Sequence, residues 1–366
     1  MIEREKAVKE SFKKELLSVS ETMDRIIAED TFPDSIEPQN LRRAVRSYPM
    51  RGGKRIRPAI LLWSCGALGG DEMKAVYAAA SVEIYHNWTL VHDDIIDCDD
   101  LRRGLPSTHA ELKMWGKEQF SIDGKTAEKY GNDFAILAGD VQQGWAMNML
   151  MRCAESGVPE TLLVPLMRRY QESVNRELIS GEAIDVEFPL RDTASVTRDE
   201  VMKMMTGKTS ALLRFATQCG GAIALNHADF NSAPLAALGS YADNLGLAFQ
   251  LRDDYLDVFG TEKEFGKPIC SDFHESKPTL LYLEAMHRLS GSGKDVELRA
   301  LMGLPHYGEA EQTRIRALLS DSGAAESILN EAKNLAEKAK QSLSILPQNK
   351  YTVLFEDLLD YLFSKH

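Results

Sequence analysis

The sequence predicts an all-α protein, and three observations support this fold class. Long stretches carry apolar residues at three- and four-residue spacing and are rich in Ala, Leu, Met and Glu, which favour helices. Alternation of apolar and polar residues between turn pairs, which is typical of strands, is scarce. Gly, Pro and Ser cluster only in short breaks. The clearest helical stretches follow in chain order at 82–97, 200–225, 236–257 and 323–343.

Breaks between these helices are too short to be linkers between domains. They fall at 32–38, 50–58, 102–106, 156–159, 188–197, 261–278 and 290–294. We therefore predict one domain over residues 1–366, in which 1–39 form an N-terminal helical extension. The stretch 117–132 is polar and lacks helical periodicity at its centre, which predicts an exposed insertion over 111–132.

Charge and composition exclude several classes of protein. A net charge of −12, from 43 basic and 55 acidic side chains, argues against nucleic-acid binding, which needs a basic face. The five cysteines form no CxxC pair, so they indicate neither a zinc site nor a disulfide framework. This cysteine pattern is consistent with a protein of a reducing compartment. The N-terminus lacks the apolar stretch of a secretory signal, and no run approaches ~18 apolar residues. We predict a cytoplasmic protein without an integral membrane segment.

Three aspartates share one face at the end of the helical stretch 82–97, which contains no Gly or Pro. At about 100° per residue, Asp93, Asp94 and Asp97 fall close together, with His86 and Thr89 on the same face. Carboxylates this close repel each other unless cations neutralise them. Hard oxygen ligands on a rigid surface suit Mg²⁺, which completes its shell with water and phosphate oxygens.

A second cluster separates this pattern from an ordinary solvated acidic helix end. Residues 248–257 read AFQLRDDYLD and place Asp253, Asp254 and Asp257 after an apolar helical run, with Gln250 on the same face. Both clusters have the DDxxD spacing and both adjoin apolar surface. Together they predict a metal site with more than one ion that binds a diphosphate.

Cations suited to direct diphosphate contacts occur in loops next to or between the two clusters. The loop RGGKRIRP, residues 51–58, combines four cations with two glycines that let the backbone approach phosphate closely. Further candidates are Arg102 and Arg103 after the first cluster, Lys208 between the clusters, and Lys267 and Lys277 after the second. His86 lies two turns before Asp93, where a phosphate contact is plausible.

A nucleotide-binding P-loop is excluded. The segment GKTS, 207–210, matches the end of that motif, but the upstream glycine is replaced by Met202. No predicted strand precedes it, although the P-loop follows a strand.

The ordered motifs resemble those of the trans-isoprenyl diphosphate synthases, or polyprenyl synthetases. The resemblance spans roughly residues 40–366 and is carried by GGKRIRP, HDDIIDCDDLRRG, AILAGD, GEAIDV, GKTSAL, FQLRDDYLD, GKPICSDFHESK and SGAAESILNEAKNLAEKAKQSL. It implies a helical bundle around a central cavity, usually as a homodimer. The implied reaction is the head-to-tail condensation of isopentenyl diphosphate with dimethylallyl, geranyl or farnesyl diphosphate, with three Mg²⁺ ions.

The resemblance also implies a role for each matching position. The metal ligands would be Asp93, Asp94, Asp97, Asp253 and Asp257. Arg102, Lys208 and Lys267 would hold the allylic diphosphate, and Thr209 and Gln250 would line the allylic cation. Lys54, Arg57, His86 and Arg103 would hold isopentenyl diphosphate, and Gly53 and Lys277 complete the predicted substrate-binding set. The catalytic set comprises Asp93, Asp94, Asp97, Arg102, Lys208, Asp253 and Lys267.

Product length would depend on side chains behind the first cluster. Helical geometry places Trp88 away from the aspartate face, which by itself indicates core packing. The family rule instead places Trp88 on the tunnel wall, with Tyr85 and Thr89 nearby. The first cluster lacks the two-residue insertion of bacterial farnesyl-type enzymes. The pattern therefore favours geranylgeranyl diphosphate (C20), with farnesyl diphosphate (C15) as the near rival.

Alternative functions are a longer-chain polyprenyl synthase, a class I terpene cyclase, a non-catalytic subunit of a heteromeric synthase, and a structural helical protein. A cyclase usually has an NSE-type second motif, and a regulatory subunit tends to lose one aspartate cluster. Three departures from the family pattern occur: a longer segment after His109, Glu182 in place of Gln, and Cys270 in place of Gly. Cys270 lies in the turn that would close near Lys267.

Overall fold

Helices make up almost all the regular structure of residues 2–261 and 269–363, the part of the chain that the computed structural model describes, with the side chains of residues 2–9 excepted. The prediction of an all-α fold is confirmed. Within those residues the sheet structure is one hairpin of Leu101–Arg102 (β1) and Leu105–Pro106 (β2), with Arg102 opposite Leu105.

The predicted helical stretches all coincide with observed helices. The α-helices are α1 (Ile2–Glu29), α2 (Gln39–Met50), α3 (Ile56–Ala67), α4 (Val76–Ile96), α5 (Thr108–Phe120), α6 (Gly124–Met151), α7 (Glu160–Arg169), α8 (Arg176–Glu187), α9 (Arg198–Met205), α10 (Ala211–Leu225), α11 (Ala233–Phe259), α12 (Ser271–His274), α13 (Leu280–Leu289), α14 (Lys294–Ala300), α15 (Glu309–Asp321), α16 (Ala324–Ser342) and α17 (Lys350–Phe363). Short 3₁₀ segments lie at Phe32–Ser35, Glu72–Ala75, Arg152–Ser156, Phe188–Leu190, Thr193–Ser195 and Leu343–Ile345, and π segments at Tyr170–Asn175 and Thr206–Ser210.

The chain forms two compact units built from interleaved segments. The first unit comprises Met1–Arg169, Phe215–Ala236 and Leu346–His366, and the second comprises Tyr170–Arg214 and Ala237–Ile345. The first acidic cluster lies in the first unit, and the second acidic cluster lies in the second unit.

Helix α4 forms the centre of the first unit, and its residues are buried on most sides. It packs against α6, where the Ser81 hydroxyl donates to the Ala146 carbonyl at 2.7 Å. A Cβ at Gly139 would lie 2.2 Å from His92 Nε2, so only glycine lets the His92 ring lie against α6. The helix that ends in the first acidic cluster is therefore tightly held.

The predicted N-terminal extension is part of this core. Phe12 of α1 packs on Trp63 of α3 with ring centroids 5.9 Å apart, and Phe355 of α17 meets the same ring edge-on at 6.0 Å. Both Phe12 and Phe355 are buried. Aromatic pairs of this kind stabilise the fold beyond the area that they bury.

The stretch 111–132, predicted as an exposed insertion, consists of the end of α5, a short turn and the start of α6. The break in helical periodicity matches the turn, and exposure is concentrated in residues 117–126. The flanks are packed: a Cβ at Gly131 would lie 2.4 Å from the His109 carbonyl oxygen. Glycine therefore allows the close approach of α5 and α6.

In the second unit, a pair of glycines lets α8 cross the π segment Thr206–Ser210. A Cβ at Gly181 would lie 2.4 Å from Lys208 N, and a Cβ at Gly207 would lie 2.5 Å from the Glu177 carbonyl oxygen. Single π turns inside helices are rare overall, but those that do occur often lie at functional sites. Lys208 and Thr209 therefore belong to a turn whose geometry differs from the flanking helices.

Among the described residues, no helix is both long and apolar enough to cross a membrane.

Candidate functional site

The first acidic cluster, Asp93, Asp94 and Asp97, occupies the end of α4. Asp94 is fully buried, while Asp93 and Asp97 are half-buried. Asp94 Oδ1 accepts hydrogen bonds from Arg102 Nε at 2.7 Å and from Arg102 Nη2. Its other oxygen accepts a hydrogen bond from the Tyr48 hydroxyl. Both carboxylate oxygens of Asp94 are thus engaged by protein groups.

Arg102 joins the aspartates of this cluster. Its Nη2 also lies 3.2 Å from Asp93 Oδ2. Burial lowers the pKa of Arg102, but the hydrogen bond and charge of Asp94 outweigh that effect and raise it overall. Burial raises the pKa of Asp94, and the bonds from Arg102 and Tyr48 oppose the rise. The guanidinium is therefore a fixed positive charge at the end of α4.

The hairpin after α4 places Arg102 in its first strand and Arg103 in its turn. Arg103 and Gly104 both have positive φ, 55° and 75°, as a two-residue hairpin turn requires. The Arg103 guanidinium donates to the Gly52 carbonyl, and a Cβ at Gly53 would lie 3.0 Å from Arg103 Nη1. Gly53 also has a φ of 156°, so glycine is required there for two reasons.

Only some of the cations in RGGKRIRP are available for a ligand. Arg55 is buried and paired with Asp24 at 2.6 Å and Glu83 at 2.5 Å, so it stabilises the start of α3. Lys54 is exposed. In the described part of the chain, the buried Nε of Arg57 has no hydrogen-bond partner, which leaves a donor for an anion.

His86 lies among the arginines of the first unit. Burial, followed by the charges of Arg57, Arg103, Arg102 and Arg55, lowers the pKa of His86 well below its usual value. The imidazole is therefore neutral at pH 7. A neutral histidine beside several guanidinium groups marks a region of positive potential within an acidic protein.

The predicted chain-length residues form an aromatic group on α4. Tyr85 and Trp88 are buried and meet edge-on, with ring centroids 4.7 Å apart, and Trp88 meets His92 at 5.7 Å. Trp88 Nε1 is buried without a hydrogen-bond partner among the described residues. The Thr89 hydroxyl donates to the His86 carbonyl at 2.8 Å.

The second acidic cluster, Asp253, Asp254 and Asp257, lies near the end of α11. Gln250 Nε2 donates to Asp254 Oδ1 at 3.1 Å, and the Thr209 hydroxyl donates to Gln250 Oε1 at 3.1 Å. Asp254 is buried. Burial, and then the neighbouring carboxylates Asp253 and Asp257, raise the pKa of Asp254, although the bond from Gln250 opposes the rise. Its surroundings therefore disfavour the charged form of Asp254.

Asp257 caps the start of α12. Its Oδ1 accepts from Ser271 N at 2.9 Å and from Ser271 Oγ at 2.6 Å, and its Oδ2 accepts from Asp272 N at 3.2 Å. Cys270 precedes that helix with a φ of 63°, the left-handed conformation that glycine adopts easily. A glycine at this position would adopt the same backbone conformation without strain.

The two lysines of the second unit converge on an aspartate that the sequence did not single out. Lys208 Nζ lies 2.8 Å from Asp185 Oδ2 and 3.0 Å from Glu182 Oε2, and Lys277 Nζ lies 3.8 Å from Asp185 Oδ2. Asp185 is buried and contributes to the raised pKa of Asp254. Lys208, Lys277 and the second acidic cluster therefore share one electrostatic environment. Lys267 lies outside the described residues.

Asp185 and Tyr48 have only weak signals in the sequence. Asp185 lies three residues after Glu182 within GEAIDV, a spacing that puts both on one helix face, next to Lys208 once α8 crosses the π segment. Tyr48 precedes Asp94 by 46 residues and has no local pattern that would reveal their contact.

The carboxylate oxygens of both clusters are a donor set that suits a hard divalent cation. As placed, no three His, Cys, Asp or Glu side chains in the described ranges form a group that could hold a metal ion. Asp94 and Asp257 are engaged by protein donors. The predictions that each cluster binds metal, and that each cation binds substrate, remain predictions.

Comparisons with a family model, with known protein sequences and with solved structures all find polyprenyl diphosphate synthases. A family model described as polyprenyl synthetase matches residues 38–319. A short chain isoprenyl diphosphate synthase of Methanothermobacter thermautotrophicus is 32% identical over 350 residues, covering 96% of this chain and 97% of that protein. A geranylgeranyl diphosphate synthase of Saccharolobus solfataricus is 39% identical over 251 residues, 68% of each chain. The crystal structure of geranylgeranyl pyrophosphate synthetase from Pyrococcus horikoshii superposes with a TM-score of 0.82 at 30% identity, covering 99% of this chain and 100% of that one.

Proposed function

Because the chain belongs to the polyprenyl synthetase family and is thus a trans-prenyltransferase, we propose that it condenses isopentenyl diphosphate head-to-tail with an allylic diphosphate. The product is a short-chain trans-prenyl diphosphate. One observation carries the proposal: each acidic cluster has cations nearby in its own unit, because Arg102 contacts Asp93 and Asp94, and Lys208 contacts Asp185, whose charge acts on Asp254. Carboxylates with adjoining cations are what a metal-bound diphosphate requires.

The family is metal-dependent, and we propose Mg²⁺ as the ion, with three ions bound. The predicted ligands are Asp93, Asp94, Asp97, Asp253 and Asp257. Their oxygens fit Mg²⁺ by chemistry, and the raised pKa of Asp254 indicates a cluster that a cation would relieve. When bound, the ions withdraw charge from the allylic diphosphate and favour cleavage of its C–O bond.

The basic side chains stabilise the departing diphosphate. Arg102, Lys208 and Lys267 hold the allylic diphosphate, and the negative charge that builds on it during cleavage strengthens these contacts. Arg102 is oriented beforehand by Asp94, so little reorganisation is needed when charge develops. This is the condition under which fixed charges accelerate a reaction most.

Two oxygens line the allylic cation. The amide nitrogen of Gln250 donates a hydrogen bond to Asp254, so the Oε1 of Gln250 faces the Thr209 hydroxyl. Both groups then present lone pairs that stabilise a positive charge without attacking it. The isopentenyl double bond supplies the electrons for the new C–C bond, and the departing diphosphate accepts the proton that is lost afterwards.

In this proposal, isopentenyl diphosphate is bound by side chains of the first unit: Lys54, Arg57, His86 and Arg103. Gly53 allows close approach of the backbone to it. The unpartnered Nε of Arg57 supports this assignment, because a buried guanidinium donor requires an acceptor. Neutral His86 contributes a hydrogen bond without adding charge. Lys277, whose Nζ lies 2.6 Å from Glu275 and 3.8 Å from Asp185, completes the substrate-binding set.

The product is C20 geranylgeranyl diphosphate, with C15 farnesyl diphosphate as the alternative, and Trp88 and Tyr85 limit elongation. Their burial and edge-on packing support a rigid wall beside Thr89. By the same resemblance, the protein works as a homodimer. The cytoplasm is its proposed location, because its five cysteines are free and fit a reducing compartment.

Incubation of the purified protein with Mg²⁺, isopentenyl diphosphate and each of dimethylallyl, geranyl and farnesyl diphosphates tests the proposal. Elongation, measured by chromatography of the products, is the expected result. Release of diphosphate from the allylic substrate alone would indicate a cyclase. The absence of any reaction with all three substrates would indicate a non-catalytic subunit.

A further inference from the structure

Tyr48 bonds to both sides of the segment that carries Arg102 and Arg103. The side chain is buried near the end of α2. Its hydroxyl donates to Asp94 Oδ2 and accepts from the backbone N–H of Thr108 at 3.2 Å. Asp94 precedes the hairpin and Thr108 follows it, so a single hydroxyl group connects the two ends of the segment.

The hairpin is also held by Arg51, whose Nη1 donates to the Pro106 carbonyl at 2.8 Å, and by Arg103, which donates to the Gly52 carbonyl, but neither bond involves Arg102. The hairpin strands are two residues long, and Leu101 and Leu105 are exposed by 63% and 51%. A hairpin of that size is not stable by itself. The Arg102 guanidinium itself is oriented by its bonds to Asp94 Oδ1 and Asp93 Oδ2, and the Asp94 carboxylate is held in turn by the Tyr48 hydroxyl at its other oxygen.

We propose that Tyr48 is a positioning residue of the reaction: its hydroxyl holds Asp94, and Asp94 holds the Arg102 guanidinium beside Asp93. The proposal rests on the function proposed above. Without the hydroxyl, Asp94 Oδ2 loses its donor in a buried position, and the carboxylate turns to satisfy it. Arg102 then loses its paired contacts at Asp94 Oδ1. Arg103 keeps an independent anchor at the Gly52 carbonyl.

Tyr48→Phe tests this role, and Tyr351→Phe is a matched control. The Tyr351 hydroxyl also donates to a carboxylate, Glu72 Oε2 at 2.7 Å, in the same unit and apart from the acidic cluster. Each substitution removes one hydroxyl that bonds to a carboxylate. We expect both variants to fold with similar melting temperatures.

We expect the KM for the allylic diphosphate to rise about tenfold in Tyr48→Phe, since a hydrogen bond to a charged group is lost. The KM for isopentenyl diphosphate should change less than about threefold, because Arg103 has its own anchor. Combining Tyr48→Phe with Arg102→Lys should add little to Arg102→Lys alone, since both act through one contact. Equal rises in both KM values, additive effects, or the same kinetics as Tyr351→Phe would overturn the proposal.

Calorimetric titration with inorganic pyrophosphate and Mg²⁺ separates this role from the proposed function. About tenfold weaker binding in Tyr48→Phe, but not in Tyr351→Phe, supports the role of Tyr48 even if the wild-type protein fails to elongate. Unchanged binding in Tyr48→Phe, or no binding by the wild-type protein, contradicts it. Elongation by the wild-type protein tests the proposed function independently.

Discussion

The two acidic clusters have the same DDxxD spacing, but their buried carboxylates are stabilised differently. Asp94 in the first cluster is paired with Arg102 and bonded to Tyr48. Asp254 in the second cluster accepts a hydrogen bond from the neutral amide of Gln250. It is repelled by the neighbouring carboxylates. The buried carboxylate of the first cluster therefore has a charged partner, whereas buried Asp254 of the second has a neutral one, and a cation of that cluster, Arg252, lies 3.6 Å from Asp253 instead.

The basic partners differ in the same way. Arg102 makes forked, directional contacts from a hairpin that follows the cluster directly. Lys208 and Lys277 act as point charges on Asp185 from two separate segments of the second unit. Guanidinium and ammonium groups are not interchangeable where geometry matters, so substitutions should affect the two clusters unequally.

The largest effect is expected from removing a proposed metal ligand. Asp93→Asn and Asp253→Asn should each lower kcat by about a thousandfold, because charge stabilisation of the departing diphosphate is lost. Initial rates with saturating substrates and Mg²⁺ provide the measurement. Asp100→Asn is the control, since Asp100 is exposed and lies off the metal-facing positions. A loss below tenfold in either ligand variant would remove that cluster from the proposed metal site.

A smaller effect should distinguish the two kinds of cation. Arg102→Lys should lower kcat/KM for the allylic substrate by about a hundredfold, because a lysine cannot reproduce the fork on Asp94. Lys208→Arg should cost less than about tenfold, since its contacts need only a positive charge. Equal losses in the two variants would contradict the contrast between directional and point-charge contacts.

Stability should change in opposite senses in the two clusters when metal is removed with a chelator. Asp94→Asn should destabilise the protein by about 2 kcal/mol, because Arg102 loses its charged partner in a buried position. Asp254→Asn should be neutral or stabilising, since it removes repulsion from Asp253 and Asp257 while Asn still accepts from Gln250. Thermal unfolding in chelator measures both, and stabilisation by added Mg²⁺ should fall in Asp254→Asn. Destabilisation of similar size in both variants would refute the distinction.

The smallest effect on rate, with a qualitative effect on product, is expected for Trp88→Ala. The shortened side chain opens space beside Tyr85, so products longer than those of the wild type should appear with little loss of turnover. Chromatography of dephosphorylated products measures their length. Trp115→Ala, which removes a ring stacked on Tyr130 instead, should leave the products unchanged. An unaltered product spectrum in Trp88→Ala would assign Trp88 to packing alone.

Much of the fold and the candidate site follows from local patterns in the sequence. The absence of Gly and Pro predicts the helix at 82–97, apolar periodicity predicts those at 236–257 and 323–343, and all three are present. The π segment at Thr206–Ser210 was not predicted, because it depends on the glycine crossing with α8 and has no periodicity of its own. The sequence shows Cys270 as a departure from the family pattern, whereas its left-handed backbone is evident only in the structure.

The sequence by itself determined the helical class, the spacing of the two aspartate clusters and the supply of nearby cations, since these depend on residues close together along the chain. Tertiary structure alone decided which carboxylates are buried and which groups satisfy them. Tyr48 and Asp94 are 46 residues apart, and Lys208 and Asp185 are 23 apart. The energy of a charge depends on its desolvation and on its partners, and packing brings both about at long range.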